Sequence, residues 1–186
     1  MYETSDIRKN LKIKMDGEPY VVVSFQFVKP GKGVAFTRTR LKNMITGAVL
    51  ERTFRSGEKF EEAALVEQRL QFMYADDFYH FMNTETYDQI ELTSDQVGDA
   101  RNFLLENLEV AILFFDEKPI GITLPTFVEI EVTESEPGMK GDTATGGTKP
   151  VTLSTGAKVQ VPLFINQDDW LKIDTRTGEY VERIKK

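Results

Sequence analysis

Between Tyr20 and Leu41 the chain carries two strand-like runs folded back around Lys29-Pro30-Gly31-Lys32-Gly33. The first run, Tyr20 to Phe27, is mostly β-branched and aromatic. In the second, Val34, Phe36, Arg38 and Arg40 fall on one alternating set. Two such runs joined by a few Gly- and Pro-containing residues predict a β-hairpin. Pro30 presets one backbone angle and Gly31 permits positive φ, so the turn is chemically specified. Lys32 then stands between two glycines at the tip, with no neighbouring side chain to shield its ammonium. It is either a solvated turn lysine or a probe that presents one amine to a partner. Lys29, Arg38, Arg40 and Lys42 on the same hairpin favour the probe, because cations placed there neutralise phosphate. A P-loop is excluded: Val34, not Ser or Thr, lies beyond Gly33, and no helix start follows.

The formal net charge is −7, which by itself argues against a nucleic-acid partner. Its distribution argues the other way. Residues 1–60 carry 12 Lys/Arg against 6 Asp/Glu, residues 61–128 carry 3 against 14, and residues 129–186 carry 8 against 10. A basic first third joined to an acidic middle predicts a polarised molecule with one RNA-facing end. The absence of cysteine excludes a disulfide framework, thiol catalysis and thiolate metal sites. No apolar run approaches the length of a membrane span and no signal-peptide core is seen, so a cytoplasmic protein without a membrane partner is expected.

Alternation punctuated by turns runs the length of the chain. Leu11–Met15, the long hairpin and Val49–Phe54 predict a small all-β barrel of SH3-like type over residues 1–64. The second block, 65–128, opens with a hairpin, Val66–Tyr74 and Phe78–Met82. Thr93 and Gln96 have capping-box spacing, and Val97, Ala100 and Leu104 follow at helical intervals, predicting one short helix over about 94–105. Glu109–Phe115 and Ile120–Leu124 follow, giving strands with a helix between them, as an OB-type barrel requires. Residues 129–186 predict a third barrel from Phe127–Val132, Val159–Ile165, Leu171–Asp174 and Tyr180–Ile184. Between its first two strands lies the loop from Pro137 to Gly147.

Catalytic chemistry is hard to find. His80, the single histidine, sits among Phe78, Tyr79, Phe81 and Met82 and reads as a packed or edge residue rather than a general base. The pairs Asp76-Asp77 and Asp168-Asp169 fall at turns, where aspartate is ordinary turn chemistry, and a metal site is the weaker reading. A glycine-flanked lysine at a tip is the opposite of the desolvated amine that Schiff-base chemistry needs. No enzyme, catalytic residue, metal or cofactor is expected. Phe25 and Phe27, spaced by two, are expected to share a core face, with base stacking as the alternative.

These motifs together resemble the bacterial elongation factor P family over essentially the full length. The resemblance rests on Phe27-Val-Lys-Pro-Gly-Lys-Gly33, Pro137-Gly-Met-Lys-Gly-Asp-Thr143, Lys149-Pro-Val-Thr-Leu-Ser-Thr-Gly156, Val161-Pro-Leu-Phe164 and Ile173-Asp-Thr-Arg-Thr-Gly-Glu-Tyr180. It implies an SH3-like (KOW-type) domain and two OB-fold domains, arranged as an L-shaped tRNA mimic. It implies a monomeric, non-enzymatic factor on the ribosome between the peptidyl and exit sites. There the family contacts rRNA, ribosomal proteins and peptidyl-tRNA and relieves stalling at consecutive prolines. The tip position is Lys32, which in lysine-bearing members is extended by a modifying enzyme with β-lysine or an aminopentanol. Arg38, Arg40, Lys42, Tyr180 and Arg183 become candidate RNA contacts. Gly141, Asp142 and Thr143 resemble the family loop that reaches toward the exit-site codon. Asp168 stands where the family pattern usually has glycine; aspartate tolerates left-handed backbone, so the turn is expected to persist. The rival class is a general RNA-binding β-barrel protein with no proline-specific role.

Overall fold

The computed structural model describes residues 1–137 and 147–186, so Gly141, Asp142 and Thr143 lie outside the described residues. Strands account for 56% of the described residues and helix for 7%, which agrees with the all-β expectation. The first sheet comprises β1 (Tyr2–Glu3), β2 (Lys12–Met15), β3 (Glu18–Val28), β4 (Phe36–Asn43), β5 (Val49–Arg55) and β6 (Lys59–Glu62), ordered β1-β6-β2-β3-β4-β5. The second comprises β7 (Leu65–Ala75), β8 (Tyr79–Met82), β9 (Gln89–Leu92), β10 (Glu109–Phe115) and β11 (Lys118–Thr123), ordered β11-β10-β7-β8-β9. The third comprises β12 (Phe127–Ser135), β13 (Thr148–Leu153), β14 (Lys158–Pro162), β15 (Trp170–Asp174) and β16 (Glu179–Ile184), ordered β14-β13-β12-β15-β16. Curled five- and six-stranded sheets of this kind are the SH3-like and OB-type barrels expected from the alternation.

By compactness the chain divides into two units, Met1–Glu67 with Leu113–Gly121, and Gln68–Ile112 with Ile122–Lys186. In the first, Ile7, Leu11, Ile13, Tyr20, Val22, Leu41 and Phe54 form the core. The sheet curls so that Phe54 of β5 meets Phe60 of β6 at a ring separation of 5.0 Å, and Tyr2 of β1 lies 6.0 Å beyond. Phe54 is 2% exposed. Phe54→Ala should therefore destabilise this unit by about 3–5 kcal/mol, the usual consequence of emptying a buried aromatic site. A falling denaturation midpoint measures it.

In the second unit Phe72 packs on Phe81 at 5.5 Å, and the strands of the third sheet close over Val128, Ile130, Val132, Leu171 and Ile173. The one predicted helix is present as a short α-turn, α1 (Ser94–Val97), continued by a 3-10 segment, Gly98–Phe103. Both halves of its capping box form: Gln96 N–H donates to Thr93 Oγ1, and Thr93 N–H to Gln96 Oε1. Phe103 carries this segment into the core of the third sheet. Asp168 adopts φ 69°, so aspartate does hold the left-handed turn. The run Val159–Ile165 is strand only to Pro162, though Ile165 is fully buried.

His80 is a packed histidine, as expected: its ring is buried, stacked on Tyr74 at 4.3 Å. Its Nε2 lies 2.8 Å from Asp76 Oδ1 and its Nδ1 lies 3.6 Å from Glu91 Oε1. The Phe78 amide donates to the same Asp76 oxygen at 2.8 Å. The Phe78 amide first, and the His80 ring second, hold the Asp76 carboxyl below its ordinary value of 3.8. A carboxylate held down in the folded state adds stability above that ordinary value, and loses it as pH falls through the lower folded value. Denaturation midpoints measured from about pH 5 to pH 2 should thus fall less steeply for Asp76→Asn than for the unsubstituted chain.

Candidate nucleic-acid interface

The long β3–β4 hairpin carries the site. Its last paired residues are Val28 and Phe36, and residues 29–35 form the connection. The Ser56 amide donates to the Ala35 carbonyl at 2.9 Å, which ties the exit of this loop to the end of β5. The positive φ falls on Gly33, at 116°, and not on Gly31. The turn has its special backbone after the lysine, at the second of the two flanking glycines. A Cβ on Gly33 would meet Pro30 Cγ at 3.7 Å, an ordinary contact, so its requirement for glycine is conformational rather than steric. Gly33→Ala should destabilise the protein by about 1–2 kcal/mol. Gly31→Ala, with ordinary backbone and open space around its Cβ, should be neutral or slightly stabilising. Paired urea titrations separate the two.

Lys32 and Lys29 are exposed, and among the described residues neither makes a hydrogen bond or ion pair. On β4 burial alternates: Thr37, Thr39, Leu41 and Asn43 point inward, while Arg38, Arg40 and Lys42 are exposed. The register sets Arg38 opposite Gln26 and Thr53, and Arg40 opposite Ser24 and Glu51. Directly opposed residues share a face, so Arg38, Arg40 and Lys42 form one row spaced by roughly 7 Å at two residues per step. Arg55 pairs with Phe36 in the same row and extends it. The odd-numbered exposure of Val49, Glu51, Thr53 and Arg55 is the signal that could have found it.

Phe25 and Phe27 do not share the core. They are 47% and 61% exposed, although they face the same side as buried Thr39 and Thr37. The reason is the length of β2. It pairs with β3 only from Glu18 to Val21, and beyond the irregularity at Val22 and Ser24 β3 runs on as an uncovered edge. The arm therefore has a cationic face and a bare aromatic face. The single arginine on the aromatic side, Arg52 opposite Thr39, lies over Phe54 at 5.2 Å and pairs with Glu58 at 3.7 Å.

The two remaining candidates lie on the third sheet. Tyr180 is half-buried against its core. Arg183 lies over the exposed Phe164 ring at 5.2 Å and pairs with Asp169 at 3.6 Å. Nearby, Arg176 grips Asp174 with two nitrogens, at 3.1 and 2.8 Å, and that grip lowers the Asp174 carboxyl. Among the described residues no cluster of His, Cys, Asp or Glu could hold a metal ion, and no helix is long and apolar enough to cross a membrane.

Comparison with known proteins accounts for all three sheets. Residues 3–60 match the elongation factor P KOW-like domain, residues 65–122 its OB domain, and residues 128–183 its C-terminal domain. Elongation factor P of Syntrophus aciditrophicus is 56% identical over 186 residues, covering 100% of both chains. That of Desulfatibacillum aliphaticivorans is 54% identical over 187 residues, again with 100% of both. A solved structure of translation initiation factor 5A from Methanococcus jannaschii superposes with a TM-score of 0.57 at 21% identity. It covers 66% of this chain and 93% of its own, which is a likeness of fold. Full-length identity above half, with all three domain models matched in order, shows that this chain belongs to the elongation factor P family, and that it is a translation elongation factor and not an enzyme.

Proposed function

We propose that this factor binds the ribosome between the peptidyl and exit sites, presents Lys32 to the CCA end of peptidyl-tRNA, and promotes peptide-bond formation at consecutive prolines. The observation that carries the reading is the tip: an unshielded amine between Gly31 and Gly33, on a rigid arm whose flank carries Arg38, Arg40, Lys42 and Arg55. Such an arm contacts phosphate and ribose without supplying chemistry. Proline is a conformationally restricted nucleophile, so the step it slows is one of geometry, and ordering the tRNA end restores rate by orientation.

Within this reading Lys32 is the target of a modifying enzyme that lengthens its side chain. The three blocks 1–64, 65–128 and 129–186 act as domains of an L-shaped, monomeric tRNA mimic in the cytoplasm. The row on β4 meets peptidyl-tRNA or rRNA, Tyr180 and Arg183 add RNA contacts, and Gly141, Asp142 and Thr143 reach toward the exit-site codon. The test is reconstituted translation of a message encoding Pro-Pro-Pro with and without the protein. Acceleration confined to that message supports the proposal. Equal effects on all messages would favour a general RNA-binding role.

A further inference from the structure

Residues 1–60 contain 12 lysines and arginines, and their partners divide them sharply. Three are engaged by carboxylates: Lys14 with Asp116 at 3.6 Å, Arg52 with Glu58 at 3.7 Å, and Lys59 with Glu3 at 3.7 Å. Six more, Lys29, Lys32, Arg38, Arg40, Lys42 and Arg55, belong to the hairpin and its neighbouring strand. The last three, Arg8, Lys9 and Lys12, are exposed and have no carboxylate partner among the described residues; they precede the hairpin, and Lys12 lies across Val21 from Lys42. They line a cleft of about 370 Å³ together with Tyr2, Asn10 and Glu62.

The cleft is held rigidly. The Asn10 amide donates to the Val22 carbonyl at 2.8 Å, and the Val22 amide returns a bond to Leu11 at 2.9 Å. Asn10 takes φ 71° to make the turn, so Arg8 and Lys9 project from backbone pinned to β3. Among the described residues Glu62 is the only carboxylate in the lining. It accepts the Tyr2 hydroxyl, which holds that phenol above its usual range. Three cations thus face one carboxylate that already has a partner.

We propose that Arg8, Lys9 and Lys12 form a second RNA-binding site, which takes the phosphodiester backbone at a place distinct from the hairpin tip. This rests on the ribosomal role proposed above. Val22, where the cleft turn is pinned, and Val28, where the hairpin loop begins, are separated by about 20 Å of strand. One nucleotide therefore cannot meet both the Lys32 tip and the Arg8–Lys9 turn, although Lys12 stands across Val21 from Lys42, the last cation of the β4 row. A protein partner fits less well, because protein interfaces need an apolar centre. Of the apolar lining, Leu11 and Ala63 are already buried in the barrel, and only Leu65 is partly exposed.

The experiment measures dissociation constants of the full-length protein from ribosomes carrying peptidyl-tRNA, over a series of KCl concentrations. Each single-strand phosphate contact contributes about 0.7 to the slope of log K against log salt. Arg8→Gln/Lys9→Gln/Lys12→Gln should flatten that slope by about 2 and weaken binding about 10- to 100-fold at 0.1 M salt. Arg69→Gln/Arg101→Gln/Lys118→Gln removes equal charge from the acidic middle and should leave the slope alone. An unchanged slope for the first variant, or the same change for both, overturns the proposal. A photo-crosslinker at position 9 must capture rRNA or tRNA, and capture of ribosomal protein alone also overturns it. Lys32→Ala run alongside keeps the two readings apart. If it abolishes stimulation while the cleft variant binds normally, only the cleft reading falls. If Lys32→Ala stimulates fully, the proline reading falls.

Discussion

Lys32→Ala should leave the fold intact and bring synthesis through Pro-Pro-Pro nearly to the rate seen without the factor. The tip side chain is exposed and makes no hydrogen bond or ion pair among the described residues, so stability should change by no more than about 0.5 kcal/mol. Ribosome binding should weaken only modestly, because Lys29, Arg38, Arg40, Lys42 and Arg55 remain to meet phosphate. Positioning is another matter: an arm that orders a reacting end contributes several kcal/mol to the barrier only while it touches that end. Messages without proline runs should translate normally. Lys32→Arg keeps the charge but cannot take a lysine modification, so its failure would assign the effect to the lengthened arm, and its success to charge alone. Full rescue of the Pro-Pro-Pro message by Lys32→Ala would end this account of the tip.

Reversing Arg38 and Arg40 to Glu should weaken ribosome binding by two or more orders of magnitude. The two guanidinium groups occupy one exposed row of β4, and the described residues include no carboxylate within ion-pair distance of them. Reversal therefore replaces attraction to phosphate with repulsion, without breaking anything inside the barrel. The slope of affinity against salt should flatten with it. Arg101→Glu lies in the stretch with 3 cations against 14 acids, and its nearest polar partner is Ser94, at 3.4 Å. That change should be nearly silent. Equal losses at the two places, measured as dissociation constants at one salt concentration, would show that net charge alone governs binding.

The legible parts of this protein are those set by neighbours in sequence. Alternation in Lys12–Met15 and Phe36–Asn43 is a local property, and so is the Thr93–Gln96 capping box; each survives in the structure where it was read. Strands that depend on a distant partner were harder. Gln89–Leu92 and Thr148–Leu153 are short, and Pro150 interrupts the second, yet both are held by pairing, β9 on β8 and β13 on β12 and β14. Pro150 sits at an exposed position opposite Gln160, where the strand tolerates it.

What the sequence determined by itself was the all-β class, the glycine-flanked lysine and the basic first third. Alternation, turn residues and charge are written into the order of side chains, and need no third dimension. What only the tertiary structure decided was which side of each strand is covered. Phe25 and Phe27 obey the same period as Val22 and Tyr20 do around the irregularity at Val22 and Ser24, but β2 stops pairing at Val21 and leaves them bare. Arg8, Lys9 and Lys12 are ordinary surface residues in the sequence, and they become one cleft because Asn10 and Leu11 are bonded to Val22. Burial and convergence depend on where a second segment ends, and that is a property of the folded sheet, not of the residues it covers.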